Sequence, residues 1–296
     1  MNFFPLVIRV KKNKFIKKTK GVTMLKKITF WVIAFVITIA SAVFQRMTGP
    51  TYPYKGEIDF ENQKVKYKLY RSHEGNSNHK VEIEVKDKDI KGILIYKRFK
   101  SYDTLTYINM NRDGDFLYAE LPGQPPAGKI QYQIKLYKND NSVIIPEEWV
   151  VIRFKGYVPA IYLFPHIIIM FLAMLFSVRA GIEALRKEPI LKNLIYWTLI
   201  LLIVGGMILG PIVQYYAFGT FWSGIPFGMD LTDNKTLLVL IAWIGAFIAI
   251  KKGKSIKKWT LIASIVLLLV YMIPHSVLGS EIDYTKQEKN EILQHK

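Results

Sequence analysis

The sequence predicts a membrane α-helical bundle with an all-β domain set between its first and second spans. Three observations predict it. Five runs are long and nearly free of charge, at 28–44, 160–178, 194–216, 236–250 and 259–278. Basic residues concentrate in alternate segments between those runs. From about 55 to 155 the apolar period changes to two.

Each apolar run approaches the roughly 20 residues that cross a hydrocarbon core of about 30 Å. The fourth is the shortest and needs flanking residues or a thin bilayer. Any one run could be a buried core helix. Five of them, with charges confined between, fit spans instead. The bundle therefore has five spans, or four if the first is removed.

The formal charge of +18 invites a nucleic-acid reading, and its distribution removes it. Residues 1–27 carry nine Lys/Arg and no acid, and residues 251–258 carry five Lys and no acid. Residues 179–192 carry four basic and two acidic residues. The segments 45–159, 215–235 and 279–296 are near neutral. This alternation follows the positive-inside pattern. It places the N-terminus in the cytoplasm of a bacterial inner membrane, with 45–159, 215–235 and the 281–296 tail outside. The bilayer is the first partner, and the basic segments can attract anionic headgroups. Nucleic acid is not expected as a partner.

Residues 1–27 form a basic cytoplasmic N-terminus, although Met24-Leu25-Lys26-Lys27 also reads as a natural start. The run 28–44 is a signal anchor or a signal peptide, because Ala40-Ser41-Ala42 fits a small-x-small cleavage site. The chain has no Cys, so disulfides and thiolate metal sites are excluded.

Residues 45–54 read as an extended linker, with Gly49, Pro50 and Pro53 against a continued helix. In 55–155, Val65, Tyr67 and Leu69 alternate with lysines. Val81, Ile83 and Val85 do the same against charged neighbours, and Ile130, Tyr132, Ile134 and Leu136 against Lys and Gln. That is a half-buried strand pattern. Turn signals at Gly75, Asp113-Gly114 and Asn139-Asp140-Asn141 separate seven to nine short strands into an antiparallel sandwich.

The segment LPGQPPAGKIQYQIKL, 121–136, resembles the corner entering strand F of fibronectin type III and immunoglobulin-like domains. There a Gly/Pro-rich turn precedes a Tyr whose hydroxyl bonds back to the corner backbone. Tyr132 stands at the matching place. The resemblance covers only about 55–155, and it implies a recognition or spacer module. The whole chain, with its TGPTYP linker, aromatic loop and PHSVLGSE ending, is similar to bacterial polytopic membrane proteins that supply no activity to carry over.

The four-helix domain, 157–280, has short basic links. Gly206 and Gly210 form a GxxxG that serves helix packing, within the chain or toward a second copy or subunit. Pro211 and Pro274 are expected to kink their helices.

Topology gathers candidate site residues at the outer leaflet: His166, His275, Asp230, Gln214 and Glu281. Intramembrane ionisable groups are functional candidates. Three readings compete. His166 and His275 could be axial ligands of haem b. With Asp230, Asp233 and Glu281 they could supply ligands for a divalent metal, although no HxxxH or HxxE spacing supports it. Or they form a hydrogen-bonded network shaping the mouth of the bundle, the reading the sequence favours. Thr232 and Asp233 read as the helix cap of the fourth span, with Lys235 near enough to pair with an acid. Phe218, Phe221, Trp222 and Phe227 form a partner-binding loop, re-entrant or lying on the surface.

No hydrolase elbow, P-loop, dinucleotide fingerprint or HExxH occurs. The expectation is a non-enzymatic binding or assembly module for an extracytoplasmic protein or envelope ligand, alone or in an oligomer. The alternative is a haem or metal protein with a redox or hydrolytic role.

Overall fold

A computed structural model describes residues 5–274, 279 and 281–286, with side chains at 25 and from 27 onward. His275, one of the candidate ligands, lies outside the described residues. The chain divides into two compact units, each built from separated segments. The first comprises the chain up to Phe44, Ile167–Gly206 and Leu237–Met272; the second comprises Gln45–His166, Met207–Thr236 and the chain from Ile273.

The first unit is helical. It draws on α1 (Pro5–Thr48), α2 (Ala160–Ala184), α3 (Lys192–Leu202), α5 (Leu231–Lys251) and α6 (Ile256–Met272). Its buried positions are mostly small: Ala34, Ala173, Ala180, Ala246 and Ala263, with Thr38, Ser177 and Thr198. Large aliphatics such as Val36, Ile168, Ile200, Ile241 and Leu269 are exposed. Small residues inside and large apolar residues outside are what a helix bundle in lipid requires, since close backbone approach, not apolar burial, drives its packing. A Cβ on Gly205 would stand 2.9 Å from Ile169 and Met170 of α2. Gly205, one position before the expected Gly206–Gly210 pair, thus packs on a neighbouring helix; Gly206 is buried beside it and Gly210 half-buried.

Among the described residues four helices are long and apolar enough to cross a membrane: Lys27–Thr48, Ala160–Ala184, Lys192–Phe218 and Leu231–Lys251. The chain is a membrane protein. Of the expected fifth span, 259–278, the described part is helical to Met272 in α6, which has 17 residues, and 275–278 lie outside the described residues. At 1.5 Å per residue α6 covers about 25 Å. Pro274 stands two residues beyond Met272. Near Pro211 the third span runs as a π-helix over Ile203–Leu209 before α4 (Gly210–Phe218). Proline lacks an N–H and its ring crowds the carbonyl one turn back, and a widened turn accommodates both. The expected linker at 45–54 is also shorter, because α1 continues to Thr48 and the first strand starts at Tyr54.

The second unit holds ten strands between Tyr54 and Lys155. β1 (Tyr54–Phe60) and β2 (Gln63–Leu69) form a hairpin. The five-stranded sheet has the order β3 (Ser72–Glu74), β10 (Asn141–Lys155), β9 (Lys129–Lys138), β5 (Lys91–Arg98) and β6 (Thr106–Asn109). In it β3 runs parallel to β10 and the other pairs are antiparallel. The third sheet is β4 (His79–Glu84), β8 (Phe116–Leu121) and β7 (Asn111–Asp113). One apolar core joins the three, with Val65, Leu69, Val81, Ile83, Leu94, Leu117, Ile134, Ile152 and Phe154. Period-two burial is clearest in β9, where Ile130, Tyr132, Ile134 and Leu136 are all fully buried.

Tyr132 departs from the expected corner. Its hydroxyl donates to the carbonyl of Tyr70, at 2.8 Å, in the join between β2 and β3. It does not reach back to 121–128. The buried phenol needs an acceptor, and the neighbouring segment supplies it.

A histidine pair stands at the edge of this core. His79 Nδ1 lies 3.2 Å from His73 Nδ1, and the His73 ring meets Phe154 edge-on at 5.2 Å. Burial and then the neighbouring His73 push His79 down to about 4, from the ordinary 6.5. The unfolded chain binds this proton at higher pH than the folded one. The contribution is therefore complete above about pH 6.5 and lost as pH falls toward 4. With partial solvent screening it amounts to about 1–2 kcal/mol. Thermal unfolding between about pH 7 and pH 4 is expected to show this loss, and His79→Phe to flatten it.

Candidate functional site

The segment from α4 to α5 belongs to the second unit and folds around one carboxylate. Gly219, at φ 78°, closes α4 in the left-handed conformation, where glycine carries no steric penalty. The chain then returns so that Asp233 Oδ2 accepts from Ser223 N at 2.6 Å and Gly224 N at 3.0 Å. It also accepts from Gln214 Nε2 at 3.0 Å and Ser223 Oγ at 3.3 Å. Gln214 donates to Ser223 Oγ as well, at 2.7 Å. Beside it Asn234 Oδ1 accepts from Ile225 N at 2.7 Å. A Cβ on Gly224 would lie 2.6 Å from Asp233 Cβ, so glycine is required for this approach.

The assignment of the cap is corrected accordingly. Asp230, not Thr232 or Asp233, caps α5: its Oδ1 accepts from Thr232 N at 2.8 Å and its carbonyl from Asn234 N at 3.1 Å. This is the N-cap arrangement, with the side chain on the second helical N–H. Thr232 and Asp233 lie inside the first turn, and Asp233 turns to the loop. A sequence pattern places a cap within a few residues, but the donors that face each acid decide which one serves.

Lys235 pairs with neither acid through a hydrogen bond. Its Nζ donates to the carbonyls of Ile273 at 2.8 Å and Pro274 at 3.3 Å. Gln45 Nε2 also reaches Ile273 O, at 3.3 Å. A cation on the carbonyls past a helix end is favourable.

Glu281 is held elsewhere on the unit. It pairs with Lys100 and, at 2.5 Å, with Lys129 of β9. Burial opposes its charge, but hydrogen bonds from these two lysines outweigh that and hold it below the usual carboxylate range. Tyr284 follows, its hydroxyl donating to Gln124 Oε1 at 2.9 Å and its ring under the Arg98 guanidinium at 4.5 Å. Both acceptor oxygens of Glu281 are therefore engaged by the β domain, which removes it from the expected ligand set. His166 is half-buried in α2, next to Pro165.

Two groups were not singled out by the sequence. Arg153 of β10 is 6% exposed, with its guanidinium 3.9 Å from the ring centre of Phe218. Burial pushes it down to about 10, against the charges of Asp230 and Glu281, which favour its protonated form. The other group is in the helical unit. Arg179 and Glu183 are 5% and 2% exposed, with Arg179 Nη2 2.8 Å from Glu183 Oε2. Glu183 Oε1 accepts from Arg186 Nη1 at 2.6 Å and Ile190 N at 3.2 Å. The Arg179 guanidinium also faces Phe30 and Trp31 of α1, at 5.3 and 5.6 Å. The spacing i, i+4, i+7 of Arg179, Glu183 and Arg186, with no proline before Pro189, was the available signal.

Among the described residues no group of three or more His, Asp or Glu side chains is placed to hold a metal ion. The structure gathers Gln214, Ser223 and Asp233 into one hydrogen-bonded cluster, with Asp230 capping the same helix. Phe221 stacks on Tyr215 at 4.3 Å, while Phe227 is 82% exposed. Comparison with family models, curated proteins and solved structures gives no match to this chain.

Proposed function

We propose that the protein is a non-enzymatic binding and assembly module of a bacterial cytoplasmic membrane. It recognises an extracytoplasmic protein or envelope component through its β domain. The observation that carries this reading is the free edge of the five-stranded sheet. Among the described residues β6 pairs only with β5, and around it Tyr102, Leu105 and Tyr107 are 75%, 39% and 61% exposed. An exposed edge with aromatics is a ready surface for recognition. The order β3-β10-β9-β5-β6, set against β4-β8-β7, supports an immunoglobulin or fibronectin-like sandwich. The alternating basic segments support five spans with the N-terminus inside and the β domain outside.

The acids nearest the loop favour binding over catalysis, because Asp230 and Asp233 hold backbone amides in place. Two measurements test the reading. A photo-cross-linking residue at Tyr107 is expected to capture a macromolecular partner in intact cells, and the same residue at exposed Lys66 is not. The purified protein is expected to be colourless and to bind no metal in stoichiometric amount. A Soret band lost in His166→Ala or His275→Ala would replace this reading with a haem protein.

A further inference from the structure

The loop between α4 and α5 is built with its polar groups inside and its apolar groups outside. Phe227 and Met229 are 82% and 78% exposed, and Phe221 and Ile225 are each 53% exposed. Residues 219–229 contain no Lys, Arg, Asp or Glu. A loop that faces water ordinarily shows the reverse distribution.

The backbone gives an independent observation. Ser223 N and Gly224 N donate to Asp233, and Ile225 N to Asn234. Phe227 N and Gly228 N donate to the carbonyl of Gly224, and Asp230 N to that of Ser223. Pro226 has no N–H. Trp222 Nε1, the one polar atom of that ring, donates to Ile225 O at 3.1 Å. So 223–228 satisfies every backbone donor within the fold. Irregular backbone is tolerated at membrane depth only where protein or water satisfies its polar groups, and the donors of this segment meet that demand within the fold.

Chain position supplies the third observation. One membrane-crossing helix ends at Phe218 and the next begins at Leu231. The 12 residues between them, 219–230, are anchored at both ends where those helices leave the apolar phase.

We propose that the rim of this loop, Phe221, Ile225, Phe227 and Met229, is seated in the membrane at the boundary between headgroups and acyl chains. Its occupant is lipid. The rim is an interfacial anchor, and the carboxylate of Asp233 acts as the internal peg that lets the backbone leave water. This goes beyond the binding role of the β domain and does not depend on that partner.

The absence of Cys makes the test direct. Single variants Phe227→Cys and Met229→Cys of the full chain are labelled with the fluorophore NBD. They are placed in nanodiscs of phosphatidylethanolamine and phosphatidylglycerol, with Tyr102→Cys as the exposed reference. Both side chains are mostly exposed, so their loss removes little packing within the protein. Label at 227 and 229 is expected to emit to the blue of the reference. It should be quenched by lipid carrying a shallow doxyl group and be protected from aqueous iodide. Iodide quenching equal to that of the reference, without lipid quenching, would overturn the proposal. Protection from both quenchers would overturn it as well, because a protein and not lipid would then cover the rim.

Discussion

Glu183→Ala is expected to destabilise the helical unit by about 3–5 kcal/mol, the largest effect of any single substitution considered. Glu183 is the counter-charge of Arg179, which is 5% exposed. Arg179 Nε and Nη1 already have no hydrogen-bond partner among the described residues. Removal of the carboxylate would leave a desolvated guanidinium against the faces of Phe30 and Trp31, and cation–π contact offsets about 2 kcal/mol at best. It would also release Arg186 Nη1 and Ile190 N, which hold the turn after α2. The double variant Arg179→Met/Glu183→Leu is expected to recover most of the loss, since apolar replacement of a buried pair is often near neutral. Thermal unfolding in mild detergent measures both. A double variant no more stable than Glu183→Ala would mean the pair does more than neutralise itself.

Asp233→Ala is expected to cost about 2–4 kcal/mol and to open the 219–230 loop. It removes the acceptor of Ser223 N and Gly224 N, while Gln214 Nε2 keeps Ser223 Oγ. Asp233→Asn keeps one oxygen for those donors and is expected to lose less, about 1 kcal/mol. The opening is read by limited proteolysis within 219–230, beside thermal unfolding of the whole chain. Equal resistance of Asp233→Ala and the unaltered protein would show that the loop does not depend on this carboxylate.

The two substitutions mark where sequence reading succeeded and where it stopped. The alternation of Ile130, Tyr132, Ile134 and Leu136 announced β9 because one face of that strand enters the core, and burial imposes the period directly. The long apolar helices were equally plain, since the bilayer imposes their length. Arg179 and Glu183 were counted with the cytoplasmic link because charge after an apolar run ordinarily ends a span. No proline intervenes there, and α2 runs on to Ala184. Arg153 was hidden for a different reason. Alternation with Ile152 and Phe154 sends it to the outer face of β10, where Phe218, 65 residues away, lies against it. Asp230 and Asp233 were both visible near a helix start, yet their roles were exchanged. Which acid caps depends on where Ser223 and Gly224 lie, and that is decided by the return path of the loop. Glu281 was placed in a ligand set by topology alone, while its partners Lys100 and Lys129 lie on the β domain.

Buried polar atoms elsewhere in the helical unit follow the same logic. Ser264 Oγ donates to Ser177 O at 2.8 Å, across a contact that Gly181 keeps open. Ser177 Oγ, Thr260 Oγ1 and Trp243 Nε1 have no hydrogen-bond partner among the described residues. Small hydroxyl residues at helix contacts are ordinary in membranes, where their bonds contribute about 1 kcal/mol each.

The central claim divides the second unit into a protein-facing edge at Tyr107 and a lipid-facing rim at Phe227. Photo-cross-linking from each position in intact membranes tests that division most directly. The account predicts a discrete macromolecular adduct from Tyr107 and lipid adducts alone from Phe227. A discrete protein adduct from Phe227, with none from Tyr107, would contradict it.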